Sequence, residues 1–140
     1  MSFQEKSAYI TVIMLLMGGG FYFYEVMSQS LRFDEWVSLV IPELIKLTLI
    51  LIIVSIIGHI MIVTISPKEA EAKLDEREKQ IFNRAASLSG VILGFAVIIS
   101  LGIHLISENG TLLFYTVFAG LIISQLAKYG IRIFLYRTVI

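Results

Sequence analysis

The chain has 140 residues, 57% of them hydrophobic and 16% charged, with a mean hydropathy of +0.87 and a formal net charge of zero. Soluble chains run at about 45–50% apolar and about 25% charged, and a core this small cannot hide the excess, so part of it must face lipid. That excludes a nucleic-acid-binding domain, a disordered regulator and most soluble enzymes, and the absence of cysteine removes disulfide frameworks, thiolate metal sites, cysteine nucleophiles and cysteine-pair electron carriers.

A membrane-crossing helix needs about 20 mostly apolar residues, and four stretches qualify. The first, Ala8 to Met27, follows Lys6 and could pass for a signal peptide, but it is too long and has no small-x-small cleavage site, so it reads as a retained helix. Ser28 to Glu35 reads as a short polar loop. The second stretch runs from Trp36 to Ile65, long enough to tilt. Ser66 to Arg84 is the one sizeable polar link. The third stretch covers Ala85 to Ile106, and Glu108-Asn109-Gly110-Thr111 reads as a tight turn. The fourth starts at Leu112 and continues as helix to about Phe134, with Lys128 and Arg132 snorkelling from one face. The expected fold is an all-α, four-helix transmembrane bundle forming a single integral membrane domain over 1–140.

The basic residues orient it. Lys6, Lys68, Lys73, Arg77, Lys79, Arg84, Lys128, Arg132 and Arg137 fall on one side, and only Arg32 and Lys46 on the other. Both termini and the middle link are therefore expected to be cytoplasmic. Tyr22, Tyr24, Trp36 and Tyr115 would form the outer aromatic belt, and Tyr9, Tyr129 and Tyr136 the inner one.

Ser66-Pro67-Lys68-Glu69 reads as a capped helix start, and the residues up to Arg84 contain no Gly and no further Pro. Glu69 with Lys73 and Asp75 with Lys79 are favourable i,i+4 pairs, and Leu74, Ile81, Ala85 and Leu88 share a face. The pattern predicts a charged cytoplasmic helix over 67–84 that runs unbroken into the third span. Two readings of it stay open: a solvated linker, or a docking surface for a cytoplasmic protein or a second copy.

The string Asp75-Glu76-Arg77, followed by Ile81, Arg84, Ala85 and Ser89, resembles a signature of small, uncharacterised prokaryotic four-span membrane proteins. In those an acidic-arginine string also precedes the third span, and such families often sit beside small helix-turn-helix regulators. The resemblance covers about fifteen residues and the overall layout. It carries no catalytic residues and implies a regulatory or partner-binding role in a prokaryotic inner membrane, with Asp75, Glu76, Arg77, Gln80 and Arg84 as the contact.

Ionisable groups within spans are costly and so are functional candidates. Glu25, Glu43, Lys46 and His104 fall near the outer end, where they could line a water-filled vestibule or simply pair among themselves. His59 lies near the inner end, on the polar stripe of the second span with Thr48 and Ser55, which should point into the bundle. It reads either as a histidine bonded to a neighbouring helix or as a proton-relay group, with Gln125 as its expected partner. His59 and His104 lie about 20 Å apart along the helix rise, too far to share a metal.

Ala86, Gly90 and Gly94 in the third span and Thr116, Gly120 and Ser124 in the fourth repeat every four residues, as close-packing helix faces do. They predict a tight hairpin between these spans, with a contact between copies as the rival. Gly18-Gly19-Gly20 face three directions, which points to a kink rather than to packing. No Walker motif, dinucleotide fingerprint, H-E-x-x-H or G-x-S-x-G is present. The expectation is a non-enzymatic protein with no cofactor or metal, whose partners are membrane lipids and either a cytoplasmic protein or further copies of itself. The alternative is an oligomeric transporter or channel with a polar outer vestibule.

Overall fold

Long apolar runs without interior proline leave the backbone no option in lipid but to satisfy itself within helices, and helices are what form. The computed structural model describes residues 3–33, 41–65, 67 and 75–138, and these are all-α with no strand. The helices are α1 (Phe3–Phe33), α2 (Ile41–Ile65), α3 (Glu76–Ser107) and α4 (Gly110–Thr138). Each contains a stretch long and apolar enough to cross a membrane.

Three boundaries differ from the sequence reading. α1 continues through Ser28-Gln29-Ser30 to Phe33. These residues contain neither Gly nor Pro, and the Ser28 hydroxyl donates back to the Glu25 carbonyl at 2.9 Å, so polarity alone does not end the helix. The helix leading into the third span does not run on from residue 67. Asp75 is extended (φ −68°, ψ 157°), its carboxylate accepts from the Glu76 amide at 2.8 Å, and α3 starts there. An aspartate at a helix start stabilises it by satisfying an orphan amide. Apart from Pro67, the Ser66-Pro67-Lys68-Glu69 cap, the Glu69–Lys73 pair and Leu74 lie outside the described residues, as do Trp36 and the rest of the α1–α2 connection.

The α3–α4 turn is shorter than expected, only Glu108 and Asn109. Glu108 is left-handed (φ 52°), and its amide donates to the His104 carbonyl at 2.8 Å. Asn109 then opens α4, its side-chain oxygen accepting from the Leu112 amide at 3.1 Å. Gly110 does not supply the positive φ.

α3 lies along α4, α4 against α1, and α1 against α2, giving the spatial order α3, α4, α1, α2. α3 and α4 approach closely at Gly120, where an added Cβ would sit 2.7 Å from the Ala96 Cβ. Gly120 and Ser124 are buried as expected. The Ala86-Gly90-Gly94 stripe is not the matching face: all three residues are exposed, and Cβ atoms on either glycine would meet nothing within 4 Å. The face turned inward carries Ile81, Ala85, Ala96 and the fully buried Ser100 instead. Leu88, grouped with Ile81 and Ala85 by periodicity, is exposed.

The glycine triplet is explained by packing after all. Gly18 lies against Leu51 of α2, where an added Cβ would approach to 2.6 Å, and Gly19 against Ile122 of α4 at 3.1 Å, while Gly20 opens outward. α1 is helical straight through them. Toward the end bearing the α3–α4 turn, Tyr22 and Tyr115 are buried with Leu47, packed by Phe23, Phe114 and Phe118. Tyr22 meets Phe118 edge-on at 5.3 Å, and Phe114 stacks on Phe118 at 5.8 Å. Pairs of this kind add about 0.5–1.5 kcal/mol each beyond their burial. Tyr22 and Tyr115 are thus core residues rather than members of a belt, whereas Tyr24 is exposed.

Candidate functional site

The opposite end gathers the start of α1, the start of α3 and the end of α4. Arg132 is its centre. It is only 4% exposed, so it does not snorkel with Lys128. Its guanidinium lies 3.6 Å from the centre of the Phe82 ring and 5.3 Å from that of Tyr129, and it donates to Gln4 Oε1 at 3.4 Å. Its Nε has no hydrogen-bond partner among the described residues. The face of an aromatic ring is negative and accepts a desolvated cation, so Phe82 stands in for the missing acceptor. Glu5, 8% exposed, pairs with Arg137 at 3.6 Å, and Arg137 lies over Tyr9 at 5.6 Å. The Tyr136 hydroxyl donates to Glu78 at 3.5 Å. Three helices are tied together here by charge and aromatic faces.

This arrangement gives the first turns of α3 two distinct faces. Glu78, Phe82, Ile81 and Ala85 turn toward the bundle. Arg77, Gln80 and Arg84, spaced three and four apart, share an adjoining side about 120° round the helix and are exposed, as helix geometry allows for such spacings. Asp75 and Glu76, expected to bind with them, have local tasks. Asp75 caps the helix, and Glu76 takes Lys79 at 2.6 Å, the pairing expected of Asp75.

His59 is bonded across helices. Its Nδ1 is 2.8 Å from the Ser55 carbonyl and its Nε2 is 3.0 Å from the Ser7 hydroxyl of α1. A carbonyl only accepts, so Nδ1 carries the proton and Nε2 of the neutral ring accepts from Ser7. His59 therefore reaches a neighbouring helix, but the partner is Ser7, not Gln125, which is exposed on α4, and Thr48 of the same stripe is exposed and donates back to the Leu44 carbonyl.

The outer polar set is spread across the fold. His104 is on α3, its Nδ1 3.4 Å from the Asn109 carbonyl. Glu25 is on α1, half-buried, and Lys46 is exposed on α2. α3 makes its extended contact with α4, on the far side of α1 from α2. The Glu43 side chain lies outside the described residues. Among the described residues no three His, Asp or Glu side chains come together closely enough to hold a metal.

Sequence reasoning missed the Arg132 centre. The visible signal was Tyr129 and Tyr136, three before and four after Arg132 on one helical face. Phe82, the decisive contact, is remote in sequence. Among the described residues, fold and site together define a bundle of four helices, each long and apolar enough to cross a membrane, with a polar, aromatic end cluster. No protein-family model, curated protein or solved structure matches the chain.

Proposed function

We propose that this is a non-enzymatic integral membrane protein of regulatory or interaction type. It sits in a prokaryotic cytoplasmic membrane with the start of α1, the start of α3 and the end of α4 on the cytoplasmic side. It captures a soluble protein with an acidic surface on the exposed face of α3 formed by Arg77, Gln80 and Arg84. The observation that carries the reading is the two-faced start of α3: one side anchored to Arg132 and Tyr136 of α4, the other presenting two arginines and an amide. A face anchored from behind gives up little side-chain and backbone entropy when a partner docks. Two further facts support it. α3 has 32 residues, about 48 Å at 1.5 Å per residue, against a hydrocarbon core of about 30 Å, so several turns extend beyond the lipid. Nine of the eleven basic residues also fall on the side assigned to the cytoplasm, as the positive-inside bias requires.

The test is a photo-reactive residue in place of Gln80 in the full chain, irradiated in native membranes. The expected product is one soluble protein cross-linked to the chain and lost from Arg77→Glu/Arg84→Glu. Asp75 is left intact, because removing its cap would damage α3 itself. Capture of only the chain itself, or capture that survives the double charge reversal, overturns the proposal.

A further inference from the structure

α2 touches α1 along a narrow seam, and on one flank of that seam the two helices leave a groove of 720 Å³. That lies within the range of about 300–1,000 Å³ typical of sites that bury a small molecule. Its walls are Ile10, Ile13, Met14, Met17 and Phe21 of α1 with Leu47, Ile50 and Val54 of α2, and almost no polar atom faces it. Part of its depth comes from missing side chains. Gly20 lines it, and a Cβ there would meet nothing within 4 Å. From Ile10 to Tyr24 it follows about 21 Å of α1 at 1.5 Å per residue, somewhat more than the ~15 Å of one leaflet.

The charge at one end decides what fills it. The helices are antiparallel in a steady register, Ser7 level with His59, Ile10 with Gly58, and Gly18 with Leu51. Continuing that register puts Lys46 level with Tyr22 to Tyr24, where the groove ends. Lys46 is also four residues before Ile50, and so on the groove-facing side of α2. It is exposed and takes part in no ion pair among the described residues, although Glu25 lies at a similar level. A hydrocarbon slot one leaflet deep, with a cation at its mouth, is complementary to a phospholipid: one acyl chain in the groove and the phosphate against the ammonium group. A helix of a second copy packed over the same groove would instead take Lys46 out of water, and a covered charge is expensive.

We propose that the α1–α2 groove is a phospholipid site, with Gly20 making room for the acyl chain and Lys46 holding the phosphate. The full chain is reconstituted in phosphatidylcholine vesicles carrying a trace of phosphatidylglycerol with a photo-reactive group in one acyl chain. A parallel sample carries a diacylglycerol with the same chain. The expected result is labelling of Met17, Phe21 and Val54 several-fold above Ile98 and Leu105 of α3, which are also exposed. Gly20→Leu, which has room to fold normally, brings groove labelling down to the α3 level. Lys46→Gln lowers labelling by phosphatidylglycerol several-fold and leaves that by diacylglycerol unchanged. Even labelling of all lipid-facing residues, groove labelling that survives Gly20→Leu, indifference to Lys46→Gln, or a groove closed by cross-links between copies would each overturn it.

Discussion

In the α3–α4 pair two residues turn the chain, and Gly120 lets the backbones meet at Ala96. In the α1–α2 pair the helices meet at Gly18 against Leu51 and Gly58 against Ile10, and the Ser7 hydroxyl bonds to His59 across them. The first pair makes the most extensive helix contact among the described residues. The second leaves hollows of 720 and 400 Å³ on the two flanks of α2, which share Met14, Leu47 and Leu51. Lipid tails are as apolar as leucine, so burying leucine gains little there, and helices associate through close backbone approach and polar bonds. α3 and α4 have small residues along their shared face. α2 is built mainly of large aliphatic residues, most of them exposed, and adheres where a glycine or a histidine allows and where Leu47 joins the cluster of Tyr22 and Tyr115.

The contrast is broken most directly at Gly120. Gly120→Leu should destabilise the bundle by about 3 kcal/mol, the upper range for overpacking, whereas Gly94→Leu on the exposed stripe should stay within about 0.5 kcal/mol. Reversible unfolding in mixed micelles measures both, and equal effects would restore the Ala86-Gly90-Gly94 stripe as the packing face. Next comes the end that fastens α3 and α4 to α1. Arg132→Met should cost about 2 kcal/mol, the worth of a desolvated cation over a ring, and Arg132→Lys should not restore it, because an ammonium group cannot stack flat on Phe82. For the looser pair, a double-mutant cycle of Ser7→Ala and His59→Ala should give a coupling of about 0.6–1.7 kcal/mol, the range for bonds between membrane helices. A coupling near zero would leave the α1–α2 pair resting on its glycine contacts and the packing of Leu47 on Tyr22. The smallest effect is a gain. Glu108→Gly should stabilise the α3–α4 turn by about 0.5–1 kcal/mol, since glycine adopts the left-handed conformation without a Cβ penalty.

The four spans were legible because length and apolarity alone force helices in lipid. The packing faces were only half legible. Ala86-Gly90-Gly94 and the inward face through Ala85, Ala96 and Ser100 lie about 100° apart on the helix. Both are small, so residue size could not choose between them, and the choice is made by what α4 presents. His59 meets a neighbouring helix, as its place on the polar side of an apolar helix suggested, whereas Thr48 on the same stripe is exposed. The partner of His59 was missed because Ser7 lies at the far end of the previous helix, where depth must be matched across an antiparallel register. Asp75 was read as a member of an ion pair, although a carboxylate at a helix start serves better as a cap. Arg132 was read as a boundary residue because hydropathy treats every arginine as a wish for water, and nothing local announces the Phe82 ring.

The spatial order α3, α4, α1, α2 also differs from the order in which a ribosome makes the helices. α1 and α2 can pair as soon as both have emerged. α3 then enters the bilayer with its extended partner still unmade, and α1 waits for the same helix to cover its second side. One late segment completes two interfaces at once, so a chain stalled before residue 110 leaves α3 without the neighbour against which it is built, exposed to quality-control proteases that recognise orphaned spans.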